Sequence, residues 1–138
     1  MKGPRVRAHK EIQLSAFLAN KPGVVAGLCA ALTERGVNIR AITVMDTVDI
    51  GTLRLVVDNL EVAKEVLNTA GAAYVEVPVL SIAIPNRPGG FATIARALAT
   101  RDINIEYFYA TASPGSEHTV GIFRVSNLAA AAEIDFAS

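Results

Sequence analysis

The chain has 138 residues, is 51% hydrophobic, and sets 13 Lys+Arg against 13 Asp+Glu for a formal net charge of zero. That balance offers no global field to attract nucleic acid or an anionic membrane. A single cysteine, Cys29, excludes an internal disulfide and a cysteine-rich zinc site, and no run approaches the ~18 apolar residues of a membrane-spanning helix.

Residues 1–11 form a basic arm, polar and without an apolar centre, and are not expected to be a signal peptide. Residues 12–18 are apolar-rich and stopped by Asn20-Lys21-Pro22-Gly23, which reads as a strand ending in a turn. From residue 22 to 35, Val25, Leu28 and Leu32 keep helical spacing, with Cys29 and Ala31 beside them. Pro22 suits a first helical turn, and Gly36 suits the position just past the helix end. Residues 38–45 and 51–57 read as strands around a loop at 47–50. Asp58 or Asn59 can cap a helix carrying Leu60, Ala63, Val66, Leu67 and Ala70, which Gly71 ends. Residues 73–77 read as a fourth strand, and Pro78 marks a seam.

The order then begins again. Residues 79–84 read as a strand, 89–100 as a helix, 104–110 and 119–125 as strands, with a last helix from about residue 128. Ser113-Pro114-Gly115-Ser116 forms a turn between the two later strands. The repetition is also literal. Asn20-Lys21-Pro22-Gly23 returns as Asn86-Arg87-Pro88-Gly89, and Gly36-Val37-Asn38-Ile39 returns as Asp102-Ile103-Asn104-Ile105, both 66 residues on. Between residues 14–39 and 80–105, 11 of 26 positions are identical. The chain is therefore two copies of one β-α-β-β-α-β unit. Units this small bury apolar surface poorly alone, so the halves are expected to pack on each other and on a second chain. The second copy is cut short. The first spends 20 residues from residue 57 to residue 77, whereas only 13 follow residue 125. Its final strand is either a stub at 134–136 or absent, and an open edge is usually covered. The arm before Ile12, or a partner chain, is expected to cover it.

The repeated turn has a chemistry. A strand that ends in Asn-x-Pro-Gly and opens directly into a helix exposes the first backbone N–H groups, where the helix dipole adds partial positive charge. Such an end binds carboxylates and other anions. Gly23 and Gly89 remove a Cβ that would hold a ligand off the backbone, and Gly90 widens the second site further. Asn20 and Asn86 offer a donor and an acceptor each, suited to a ligand with ammonium and carboxylate groups. Asn38 and Asn104 can point an amide toward the same end of the sheet. Asn-x-Pro-Gly is also an ordinary turn, and duplication preserves turns as readily as sites.

These residues resemble the ACT domain, a ferredoxin-like module that binds amino acids and regulates metabolic enzymes. The resemblance rests on Asn20-Lys21-Pro22-Gly23, on Gly36 to Ala41, on Asp46 to Asp58, on Asn86-Arg87-Pro88-Gly89-Gly90 and on Ile103 to Tyr107. It covers roughly residues 12–128 and is to the small proteins made of two tandem ACT domains. It implies an α+β fold of two ferredoxin-like units, with antiparallel sheets and helices on one face. Boundaries fall at a 1–11 arm, a 12–77 first unit and a 78–138 second unit. In the family, effectors bind between two units. The turn before the first helix of one unit faces strand residues of the other. Carried over, this points to Asn20, Gly23, Val24, Asn38 and Ile39, and to Asn86, Gly89, Gly90, Asn104 and Ile105. The implied role is non-catalytic and cytoplasmic. It belongs to a homodimer that binds a small amino acid and signals to a metabolic enzyme, with no cofactor or metal.

Tyr107 and Tyr109 share one face of a strand and Phe108 takes the other, an aromatic wall for a ligand or packing for a core. Asp46, Asp49 and Arg54 could orient a ligand, or form a solvated loop and a surface pair. Catalysis has little support. Cys29 lies in an apolar helical pattern, and His9 and His118 form no metal motif with carboxylates at helical spacing. The alternatives are an interaction and dimerisation module without a ligand site, and, more remotely, an RNA-binding module. The latter needs aromatic platforms and a basic surface that this chain lacks.

Overall fold

A computed structural model describes residues 6–19, 21–46, 50–111 and 114–137, leaving aside the side chains of Asp46 and Ile50. Ten elements follow in order: β1 (His9–Ala19), α1 (Val24–Glu34), β2 (Ile39–Asp46), β3 (Ile50–Val57), α2 (Leu60–Thr69), β4 (Ala73–Pro85), α3 (Gly90–Thr100), β5 (Ile105–Ala110), β6 (His118–Val125) and α4 (Leu128–Ala132). They form two compact units. The first is Ile12–Val77, and the second joins residues 6–11 to residues 78–137. The turn signals at Asn20 and at residues 47–49 and 112–113 lie outside the described residues.

In the first unit the strand order is β2-β3-β1-β4, with antiparallel ladders β1–β3 (Leu14 opposite Leu55) and β2–β3 (Ile42 opposite Leu55). Strand alternation aims Leu14, Ala16, Leu53 and Leu55 at the helices. Helical spacing brings Leu28 and Leu32 of α1, and Ala63, Val66 and Leu67 of α2, onto the same core. Lys64 of α2 pairs with Glu61 at 3.0 Å and with Glu76 of β4 at 3.3 Å. The hydrogen bond it donates to Glu61, aided by the one to Glu76, holds its ammonium above the ordinary lysine range.

The second unit has the order β1-β4-β6-β5, with ladders β4–β6 (Leu80 opposite Phe123) and β5–β6 (Phe108 opposite Phe123). Its core joins Leu80, Ile82, Ile84, Ile94, Leu98, Phe123 and Val125 to Ala8 from the arm and Ile134 and Phe136 from the tail. Here α4 is only five residues long, against ten for α2. After α4, residues 133–137 form no strand. Instead, arm and tail clasp each other. Phe136 N–H donates to Val6 O at 2.7 Å, Val6 N–H donates to the Asp135 carboxylate at 3.0 Å, and Arg7 donates to Glu133 O at 3.1 Å.

Two boundaries differ from the sequence expectation. The first strand begins at His9, inside the basic arm, because residues 9–11 belong to the second unit beside β4. The strands read at 73–77 and 79–84 are one, β4, which runs 13 residues through Pro78, the residue at which the second unit resumes. The β4–β6 ladder starts at Leu80, so the N–H that Pro78 lacks is not needed by β6. Its carbonyl accepts from Arg124 at 3.1 Å.

The repeats close their first helices alike. Val37 N–H reaches Leu32 O and Ile103 N–H reaches Leu98 O, both at 3.0 Å, across a residue of positive φ. That residue is Gly36 (φ 71°) in the first unit but Asp102 (φ 57°) in the second. The left-handed region costs a residue with a Cβ about 1–2 kcal/mol, partly offset by the extra freedom glycine gives the unfolded chain. Asp102→Gly is therefore expected to stabilise the protein by up to about 1 kcal/mol, raising Tm by a few degrees. A thermal melt showing an unchanged or lower Tm would count against this account.

Candidate functional site

The strand-to-helix turn is built twice with the same bonds. Lys21 N–H donates to Ala19 O and Arg87 N–H to Pro85 O, both at 2.9 Å. Val24 N–H then donates back to Lys21 O at 3.4 Å, and Gly90 N–H to Arg87 O at 3.0 Å. Gly23 sits at φ 88°, ψ −13° and Gly89 at φ 85°, ψ −6°. Proline second and a positive-φ residue third define a type II turn. The motif is thus a geometric requirement, with Pro22 and Pro88 in the turn and the helices starting after glycine.

This geometry leaves Val25 and Ala26, and Phe91 and Ala92, with N–H groups that have no intrahelical acceptor. Neither helix start has a side-chain cap or an acidic residue in its first turn. The other two helices are capped, α2 by Asn59 accepting from Val62 N–H at 3.2 Å and α4 by Asn127 accepting from Ala130 N–H at 3.1 Å. So the two helices that follow the repeated turn are those whose donors stay open to an anion.

The two starts are not equivalent. A Cβ at Gly23 or Gly89 would meet nothing within 4 Å, so both glycines are explained by φ. Gly90 is different, since a Cβ there would collide with the Pro85 carbonyl oxygen. It is buried, and its missing side chain lets α3 approach the backbone. It does not widen a ligand space as the sequence suggested. The first unit holds Val24 at the matching position. Asn86 is committed to structure. Its side-chain amide donates to Ser116 O at 2.8 Å and its main chain to Glu117 O at 2.9 Å. Its counterpart Asn20 lies outside the described residues.

Asn38 and Asn104 do not join the turn within their own unit. The first turn follows Ala19, which faces Ile50 at the start of β3, whereas Ile39 faces Val57 at its end. Seven residue steps separate these points, ~23 Å at ~3.3 Å per residue. In the second unit Pro85 faces His118 and Ile105 faces Val125, with the same separation. The reason is local. Asn38 N–H is held by the Asp58 carboxylate at 2.9 Å, and Asn104 N–H by the Ser126 hydroxyl at 2.9 Å, at the far end of the hairpin. Within each unit the carried-over residues thus fall into two groups at opposite ends of the hairpin.

The aromatic strand alternates as the sequence implies. Phe108, Phe91 and the buried Phe123 form a mutual cluster, with centroids 4.4 Å (Phe91–Phe108), 5.2 Å (Phe108–Phe123) and 6.1 Å (Phe91–Phe123) apart, while Tyr107 and Tyr109 lie half-buried on the other face. Arg54 turns its guanidinium to the Met45 sulfur, and Asp49 is outside the described residues. Cys29 is half-buried, and among the described residues no group of three or more His, Cys, Asp or Glu could hold a metal ion.

Sequence reasoning missed two cavities that the repeat relates. One, of about 430 Å³ in the first unit, is lined by Phe17, Leu18, Gly23, Val24, Leu28 and Ala72, among others. The other, of about 500 Å³ in the second unit, includes Ala83, Arg87, Ile94, Glu117, His118 and Phe136. The signal was present in the 66-residue offset, which maps Phe17 onto Ala83 and Leu28 onto Ile94.

The family model described as an ACT domain pair matches residues 10–137. The chain belongs to the ACT domain pair family. Among solved structures, protein BT0572 from Bacteroides thetaiotaomicron is 29% identical with a TM-score of 0.83, over 90% of this chain and 85% of that one. The ligand-free regulatory subunit of aspartate kinase from Thermus thermophilus shares the fold at 20% identity and a TM-score of 0.64, over 87% and 86%. The corresponding subunit from Thermus flavus does so at 20% and 0.64, over 99% and 95%. No curated protein matches the chain. ACT domains are regulatory modules. Among the described residues no helix is long and apolar enough to cross a membrane.

The glycine assignments give an ordering. Gly89→Ala is expected to cost about 1–2 kcal/mol through its φ alone. Gly90→Ala should cost more, about 3 kcal/mol, because backbone must move to admit the Cβ. Urea unfolding measures both, and a Gly90→Ala variant as stable as the parent would remove the close approach from this account.

Proposed function

We propose that this ACT pair is a non-catalytic regulatory protein of the cytoplasm. As a homodimer it binds a small amino acid at clefts between ACT units and passes the signal to a metabolic enzyme. The observation that carries this reading is the pair of uncapped helix starts behind the repeated type II turns. Each offers two main-chain donors and a positive dipole end to a carboxylate. The ligand groups of the proposal are Gly23 and Val24 with Asn20, Gly89 and Gly90 with Asn86, and, from a facing unit, Asn38 and Ile39 or Asn104 and Ile105. The separation of turn and strand residues within a unit supports a site shared between units. The solved relatives named as regulatory subunits share the fold, and transferring that role to this chain is part of the proposal. The mechanism is linkage. A ligand that bridges two units favours the arrangement in which both halves meet, and the partner enzyme reads that shift.

A second reading, an interaction and dimerisation module without a ligand site, is favoured by Asn86, whose amide is occupied by Ser116, and by the turn geometry that alone explains Pro-Gly.

Calorimetry of the folded protein against the twenty amino acids separates the two. Heat with one or a few amino acids is expected, whereas none with any would establish the second reading. Because Gly23 and Gly89 are strained positions, the site is better tested with Ala26→Glu and Ala92→Glu. An acidic residue in a first turn favours the helix yet competes with a bound carboxylate. Each is expected to weaken binding about tenfold or more while leaving Tm unchanged or higher. Unchanged affinity in both would sink the assignment.

A further inference from the structure

The second unit's cavity is unlike its first-unit counterpart in one respect. Among the described residues, the first is lined by apolar residues and glycine, whereas the second carries Asn86, Arg87, Glu117 and His118 on its rim. Its apolar walls are Val6, Ala83, Ile94 and Phe136. Among the described residues, the side chains of Arg87, Glu117 and His118 make no hydrogen bond or ion pair. The volume, about 500 Å³, lies within the usual range for small-molecule sites.

The truncation of the second copy makes this space. In the first unit the matching wall is Ala70, Gly71 and Ala72, the turn that feeds a fourth strand. In the second, α4 stops early, and the arm and tail stand in that place. Val6 and Phe136, joined by the 2.7 Å main-chain bond, are themselves lining residues. A ligand here would touch both halves of the clasp.

We propose that this cavity is a ligand site complete within the second unit, for a small apolar molecule bearing a carboxylate. The apolar body packs on Ile94, Phe136 and Val6, and the carboxylate meets the Arg87 guanidinium, whose planar fork suits it. Glu117 supplies one opposite charge on the same rim, which favours an ammonium on the ligand. Gly89 and Gly90, the helix-start residues of the proposed cleft, do not line it, and of that cleft's residues it shares only Asn86.

The test uses the full chain and two probes, L-phenylalanine and 3-phenylpropanoate, followed by calorimetry and by amide exchange at Phe136. Both are expected to bind and to slow exchange at Phe136, because the clasp is part of the wall. Arg87→Gln should weaken both roughly tenfold to a hundredfold, the scale of a charged hydrogen bond. Thr93→Trp, at an exposed helix position that lines the cavity, should abolish binding without lowering Tm. Glu117→Gln should weaken L-phenylalanine alone if the ligand is an amino acid, and neither probe if it is a simple carboxylate. No binding of either probe at millimolar concentration overturns the proposal. So does binding that Arg87→Gln or Thr93→Trp leaves unchanged. L-Phenylalanine binding lost in Ala92→Glu but kept in Thr93→Trp belongs to the cleft, and overturns this site while supporting the other.

Discussion

Each unit needs a fourth strand beside its first, and the chain meets that need by two different routes. A sheet edge left bare presents unpaired main-chain groups, and a unit of this size has little core to spare. The first unit uses its own residues 73–77, delivered by the ten-residue α2. The second has no such segment after its five-residue α4, and takes residues 9–11 of the arm in its place. Val6, Arg7, Asp135 and Phe136 then bond main chain to tail where a second helix-to-strand turn would have run. Arm, core and cavity of the second unit all follow from this substitution. Ala8, Ile134 and Phe136 enter one core, and the cavity opens where the missing turn would sit.

The repeated turn is the second fixed point. Because a type II turn demands a positive φ at its third residue, glycine is required there whether or not anything binds. The motif therefore says little about ligands by itself. What distinguishes the two helix starts is that no side chain among the described residues caps them, while Asn59 and Asn127 cap the other helices at matching places in their units. The same chain thus holds capped and uncapped starts, sorted by position in the repeat.

Much of the fold could be read from the sequence because the signals were local. Leu28 and Leu32, or Ile94 and Leu98, mark helix faces by spacing, and Asn59 marks a start by its side chain. Signals that depend on distant partners were not readable. Pro78 marks where the second unit resumes, but that a single strand runs through it shows only in the pairing, where the ladder with β6 begins at Leu80. Asn38 and Asn104 looked like neighbours of the turn because they follow the helix, yet Asp58 and Ser126 hold them at the other end of the hairpin. Gly90 looked like open space and is filled by the carbonyl of Pro85, a contact that no pattern in the sequence records.

The inequivalence of the units follows from these particulars. In the first, Val24 carries a side chain at the helix start, and the described residues lining the adjoining cavity are apolar or glycine. In the second, Gly90 seats the helix on backbone, Asn86 is tied to Ser116, and ionisable side chains rim the cavity. The second copy also has two extra residues between its later strands. The hairpin bond at Asn38 spans 20 residues to Asp58, and that at Asn104 spans 22 to Ser126. That insertion falls between β5 and β6, in the stretch that supplies Ser116 and Glu117 and leads into His118 at the start of β6. The group occupying the Asn86 amide and two of the cavity's ionisable residues therefore come from one short stretch. A protein that started as two equal copies would need few further changes to make one half a better receptor than the other. Loop length and tail length are the two that this chain displays.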